Sequence, residues 1–200
     1  MAKQSLSIVF ALVILWLAGP VLADDLGKGN ILFEWFDGTL GNNLNEFVDG
    51  RYPNYPDNPS SYAWRTSFDG PDGRADYYGT HVRGYLYPPA DGDYTFWVAS
   101  DDYSRVWLST DEDPANKVLI CEVTGYTGAT EWTKYATQTS NLITLKAGKK
   151  YYIEALHSEG AGGDRLRVAW GGPTIGTGPV IIAGTYLAPF IRLVDLKASS

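Results

Sequence analysis

The sequence predicts an all-β protein: an antiparallel β-sandwich, jelly-roll-like, with long surface loops. Three observations predict it. Tyrosine (14), tryptophan (7) and glycine (22) are abundant, and aromatic residues favour strands as glycine favours turns. Ten short runs of strand-like character recur, with clusters of Gly, Pro, Asp and Asn between them. Past the N-terminal stretch there is no apolar repeat of helical period, and many short strands at this spacing build a sandwich or barrel.

Taken in order, the chain opens with Lys3, an apolar run over residues 6–17, Gly19-Pro20, and small residues at Val21 and Ala23. That is the pattern of a secretory signal peptide cut after Ala23, and the run is too short for a comfortable membrane span. The expectation is an exported protein with no membrane insertion after cleavage. Residues 24–192 then form one sandwich domain, and 193–200 form a polar tail or the start of a linker to other domains of a larger protein. The 177 residues after Ala23 suffice for one substantial core. They carry 15 basic and 23 acidic side chains, a net charge of −8 that disfavours nucleic acid and suits cations and neutral ligands. Cys121 is the single cysteine, so no internal disulfide forms, and its place in the apolar run 118–123 marks a buried thiol.

Strands are expected at residues 31–36, 63–68, 82–87, 94–99, 105–109, 117–123, 142–146, 151–157, 165–170 and 180–182. The first two flank residues 38–61, where Asn, Pro and Tyr dominate and a long surface loop is expected. Asp69-Gly70-Pro71-Asp72-Gly73, Pro88-Pro89-Ala90-Asp91-Gly92, Ala147-Gly148 and Gly171-Gly172-Pro173 punctuate the rest. The acidic run 111–113 lacks the spacing and glycine of an EF-hand loop and reads as a hairpin tip.

The corner between the fourth and fifth runs holds Asp101 and Asp102. In a trans extended chain their carboxylates point to opposite sides, and a cis linkage is one way to turn both to a single point. A hard divalent cation such as calcium, which takes oxygen ligands, is the partner such a pair suits. Between the eighth and ninth runs, Gly160, Gly162 and Gly163 permit backbone shapes that turn several carbonyls to one place. Tyr103 beside the acidic corner, and Tyr126 and Trp132 in the turn-rich segment 124–132, offer flat apolar faces on which a sugar ring could stack. Trp107, at strand spacing, reads as core, and His157, at a strand end, as a locally bonded histidine. No G-x-S-x-G, H-E-x-x-H or phosphate-binding glycine loop occurs, so a non-enzymatic protein is expected. Two carboxylates alone can hydrolyse a glycoside, which keeps a small hydrolase as a third reading.

The segments Gly92–Phe96, Ser100–Leu108, Tyr151–His157 and Leu166–Trp170, with Glu34–Gly38 at the start and Ala183–Phe190 at the end, resemble the protective-antigen fourteen-kilodalton domain, a family named for a module of the anthrax protective antigen. The resemblance spans nearly the whole chain after residue 23. It implies a β-sandwich whose carbohydrate-binding branch, including yeast flocculins, holds calcium with a cis-linked Asp-Asp pair and a second loop, the sugar's hydroxyls completing the coordination. Carried across, it places the metal on Asp101, Asp102, Glu159 and the carbonyls of Ala161 and Gly163. Tyr103, Tyr126, Trp132, Ser158 and Asp164 are then the ligand-facing candidates. This chain has glutamate where the family's yeast lectins have asparagine, and a glycine-rich loop where theirs is bulkier, so their sugar preference does not carry over. The expected function is a secreted calcium-dependent lectin module with carbohydrate as partner. The alternative is a non-catalytic protein-interaction or spacer module of a larger assembly.

Overall fold

The computed structural model describes residues 29–38, 44–51 and 54–190. The expected signal peptide and the polar tail lie outside them. Twelve elements follow in order: β1 (Ile31–Asp37), α1 (Asn45–Val48), β2 (Ser61–Arg65), β3 (Tyr78–Leu86), β4 (Gly92–Asp101), β5 (Tyr103–Ser109), β6 (Lys117–Val123), β7 (Ile143–Leu145), β8 (Tyr151–Glu159), β9 (Arg165–Gly172), β10 (Gly176–Ile181) and β11 (Leu187–Pro189). All pairings between these strands are antiparallel. The larger sheet runs β2-β1-β3-β8-β5-β6, with β11 beside Gly84–Leu86 of β3, past the point where β1 begins its pairing at Leu32, and the smaller runs β10-β9-β4-β7. The predicted all-β antiparallel sandwich is therefore what the chain forms.

Alternation builds the space between the sheets. Ile31, Phe33 and Trp35 of β1, Tyr94, Phe96 and Val98 of β4, and Ile153 and Ala155 of β8 join one buried core with Val168 and Trp170 of β9. Tyr94 stacks on Trp170 with ring centroids 5.2 Å apart. Cys121 is buried there, as expected, and burial pushes its thiol pKa up.

The region read as a surface loop departs from expectation. Leu44 and Phe47, with Tyr55, fold onto the outer face of the larger sheet and pack on Phe36, Leu156, Tyr103 and Trp107. Gly79 makes this possible, since a Cβ there would lie 1.8 Å from Cζ of Phe47. With Phe190 packed on Tyr85 and Tyr152 farther along, strands β3 and β8 are buried on both faces; β3 starts earlier, at Tyr78, and β8 ends later, at Glu159, than predicted. Where both faces are covered, the apolar-polar alternation that marks a strand in sequence is lost. The second strand ends early for a different reason. After Arg65 the chain leaves β1 and bonds instead to residues near Ile182, through Phe68 N to Ile182 O (2.8 Å) and Gly184 N to Thr66 O (2.7 Å).

Candidate functional site

Two connections cross between the sheets at the same end of the sandwich. The β4–β5 corner carries Asp101 and Asp102, and residues 160–164 carry the chain from β8 to β9. The Asp101–Asp102 linkage is cis. The corner is tied by Ser100, whose hydroxyl donates to Asp102 O at 2.6 Å and lies 2.7 Å from Ser104 Oγ. Beneath it, His157 Nε2 lies 2.8 Å from Asp101 O and Nδ1 lies 3.1 Å from Thr80 Oγ1. A carbonyl only accepts, so Nε2 carries the proton and the Thr80 hydroxyl donates to Nδ1. Burial pushes the His157 pKa down to about 4, so the ring is neutral. This histidine bonds locally, as its sequence position implies.

Glu159 has the strand parity of Ile153 and Ala155, and so turns inward. There it meets the corner: Asp101, Asp102 and Glu159 each offer a carboxylate oxygen, and these atoms lie within 4.8 Å of one another. Burial, then the charges of Asp102, Asp101, Asp164 and Asp76, push Glu159 up to about 8. Asp102 is raised by burial, against the N–H of Gly160 that donates to its Oδ2 at 3.0 Å. Asp101 is raised by burial and by Asp102, against Arg165, whose Nη1 donates to its Oδ2 at 3.2 Å. Three oxygen ligands drawn into a partly dry corner at this electrostatic cost fit a hard divalent cation. Gly163 adds to the fit, because a Cβ there would stand 2.8 Å from Asp101 Oδ2 and close the corner.

The other candidates divide. Tyr126 is 59% exposed, and its residue bridges to Asp101, so the 124–132 segment borders the acidic corner. Thr127 anchors that segment: its N donates to Ser100 O (2.7 Å), and its own carbonyl accepts from Arg165 Nη1 (2.9 Å). One face of the Tyr126 ring is covered by Lys134 Nζ, 3.8 Å from the centroid. Trp132 lies half-buried in the same segment, and Ala161 and Gly163 are exposed on the rim. Tyr103 packs into the outer-face cluster, and Ser158, of the same parity as Leu156, is buried toward that layer. Asp164 is buried and occupied elsewhere. Its carboxylate accepts from Gly73 N, from Arg74 N (2.6 Å) and Ala75 N (3.1 Å), and from the Tyr78 hydroxyl (2.9 Å). Asp164 thus holds the 71–77 segment against the site, which is a different part from the ligand-facing one expected of it.

Sequence reasoning passed over Arg165, Thr127, Asp76 and Tyr77. Asp76 Oδ1 accepts from Gly162 N at 3.1 Å, and Tyr77 N donates to Gly160 O at 2.7 Å. Nothing local announces either residue, because both act through the 160–164 connection, far away in sequence.

Residues 41–181 match the PA14 domain family. The chain is 43% identical over 98 residues to the mouse N-acetyl-beta-glucosaminyl-glycoprotein 4-beta-N-acetylgalactosaminyltransferase 1, a match covering 46% of this chain and 10% of that protein. To mouse fibrocystin it is 28% identical over 142 residues, covering 66% of this chain and 3% of that protein. The chain thus spans a tenth or less of these curated relatives. Among solved structures, the PA14 sugar-binding domain from an RTX adhesin superposes with a TM-score of 0.61 at 15% identity, over 82% of this chain and 100% of that one. The Epithelial Adhesin 6 A domain from Candida glabrata, solved in complex with Galb1-3GlcNAc, gives 0.56 at 15% identity over 82% and 88%. At that identity the likeness is one of fold, and it agrees with the family match over most of the chain: the protein belongs to the PA14 domain family.

Proposed function

We propose that this chain is an exported, calcium-dependent carbohydrate-binding module. The observation that carries the reading is the convergence of Asp101, Asp102 and Glu159 within 4.8 Å at the end of the sandwich. Asp101, Asp102 and Glu159 would hold the ion, with the carbonyls of Ala161 and Gly163 as further oxygen donors. When bound, calcium supplies six to eight oxygen positions, more than these residues fill, so that vicinal hydroxyls of a sugar complete its shell. The remaining residues prepare that arrangement. Arg165 and the Gly160 N–H each bond one carboxylate oxygen of the aspartates, and neutral His157 fixes the corner's backbone without adding a competing positive charge. Tyr126 and Trp132 present aromatic surface at the rim for the C–H face of the ring. The solved relatives whose names describe sugar binding support the same reading.

Calorimetric titration of calcium chloride tests it. The expected result is saturable binding at about 10⁻⁴–10⁻³ M or tighter, the range of extracellular calcium modules, absent in Asp101→Ala. On a glycan array, binding is expected with calcium and lost with chelator. No calcium binding, or glycan binding indifferent to chelator and to Asp101→Ala, would sink the proposal.

A further inference from the structure

Two arginines leave one face of β9. Leu166 and Val168 join the core, so Arg165 and Arg167 point to the outer side of the smaller sheet. Their register partners in β4 are Asp101 and Ala99. Along the far edge of β4 runs the 124–132 segment, tied there by the bridge between Tyr126 and Asp101 and by the Ser100 N–H, which donates to Thr127 Oγ1 at 3.0 Å. Each arginine reaches across β4 to one carbonyl of that segment: Arg165 Nη1 donates to Thr127 O at 2.9 Å, and Arg167 Nη1 to Ala129 O at 3.2 Å. Ala99, buried on the same face, is small enough to leave room for the Arg167 side chain.

Arg167 has its footing on the opposite side of β9. Its Nε donates to Asp69 Oδ1 and its Nη2 to Asp72 Oδ2, both at 2.8 Å, and residue 69 bridges to residue 167 through the main chain. Two carboxylates thus fix the planar guanidinium by charge-assisted bonds and leave its third nitrogen for Ala129 O. The 124–132 segment depends on such supports. It holds Gly125 and Gly128, lies outside the long strands for most of its length, and satisfies its carbonyls with side chains: Lys134 Nζ on Tyr126 O (2.8 Å), Gln138 Nε2 on Glu131 O (2.7 Å), and the two arginines. Arg165 also bonds Asp101, so its part cannot be separated from the ion corner. The partners of Arg167 are Asp69, Asp72 and Ala129, none of them in that corner. We infer that Arg167 is a positioning residue of the carbohydrate site: it clamps the 124–132 segment across β4, sets where Tyr126 and Trp132 stand, and so governs affinity for the sugar and not for the ion. This rests on the carbohydrate reading above.

The test uses the wild type, Arg167→Met and Arg167→Lys, titrated with calcium chloride and then, in saturating calcium, with galactose, mannose, N-acetylglucosamine, lactose, mannobiose and chitobiose. Arg167→Met is expected to keep calcium affinity within about twofold while losing roughly fivefold to tenfold for the preferred sugar, the scale of one misplaced aromatic contact. Amide exchange should accelerate at residues 125–131 and stay unchanged in β4 and β9. Arg167→Lys guards against a damaged fold, because it keeps a positive charge between Asp69 and Asp72 but lacks the fork that also reaches Ala129. It should melt as the wild type does and still show the loss confined to sugar. Full sugar affinity in Arg167→Lys, or a calcium affinity that falls in step with sugar affinity in either variant, overturns the inference and leaves the calcium site standing. A wild type that binds neither calcium nor any of these sugars overturns both.

Discussion

Gly163 tests the acidic corner one atom at a time. In Gly163→Ala the new Cβ would stand 2.8 Å from Asp101 Oδ2 and 3.5 Å from the Arg165 guanidinium, so the carboxylate must leave its present place beside Asp102 and Glu159. Because residue 163 is exposed, the fold should tolerate the methyl group. Calcium affinity measured by calorimetry is expected to drop at least about tenfold, about 1.4 kcal/mol, with a near-unchanged melting curve. Equal affinity would show that Asp101 Oδ2 is not a ligand atom. At this scale the sequence told a good deal about Asp101 and Asp102, since adjacent acids at a strand corner are visible without a partner. It told less about Asp164 and Ser158. Both share the polar character and loop-like surroundings of ligand residues, and only the packing of a segment some 90 residues earlier reveals that Asp164 is spoken for.

Among the elements, the connection from residue 71 to β3 depends most on a single side chain. Asp164 accepts three backbone N–H bonds and one hydroxyl bond from it, and a buried carboxylate so bonded stabilises by charge-assisted hydrogen bonds. Asp164→Ala leaves those donors to find water, which the exposed residues 73 and 75 can do and the Tyr78 hydroxyl cannot. The expected cost is therefore partial, roughly 2–4 kcal/mol by urea unfolding. Amide exchange should accelerate at residues 73–77 well before it does in β4 or β9. Uniform acceleration across the sheets would mean that Asp164 supports the whole core. Element bounds were legible where one face meets water: β6 runs from Lys117 to Val123, as its pattern implies. They were obscured in β3 and β8 because Leu44, Phe47 and Tyr55 cover one part of their outer face and Phe190 another. Asn and Pro in that segment masked Leu44, Phe47 and Tyr55, whose apolar faces declare themselves only against a sheet.

Across the molecule, the outer face of the larger sheet carries a buried charge network that no alternation pattern could reveal, since its members come from four strands. Arg83 donates to both oxygens of Glu34 (3.1 Å each), and His81 lies 3.5 Å from Glu34 on one side and from Glu154 on the other. Lys117 Nζ and the Tyr152 hydroxyl also bond Glu154, at 2.6 and 2.5 Å. Burial works against the charge on Glu154, and the nearby His81 together with the bonds from Lys117 and Tyr152 overcomes it, holding its pKa at about 2 against 4.5 for the free side chain. The unfolded chain then takes up a proton between these values while the folded one does not. The network's contribution is accordingly complete above pH 4.5 and is lost as pH falls toward 2, at up to about 1.4 kcal/mol per pH unit. His157 acts at higher pH, in the window from 6.5 down to about 4, because its folded form resists protonation. Comparing Glu154→Gln with the wild type by urea unfolding from pH 5.5 to 2.5 cancels the His157 contribution. The variant should be the less stable protein at pH 5.5, and the gap should close as the acid limb is descended. A gap that stays constant with pH would mean that the glutamate acts through packing and hydrogen bonding alone, and that the acid sensitivity of this sandwich lies elsewhere.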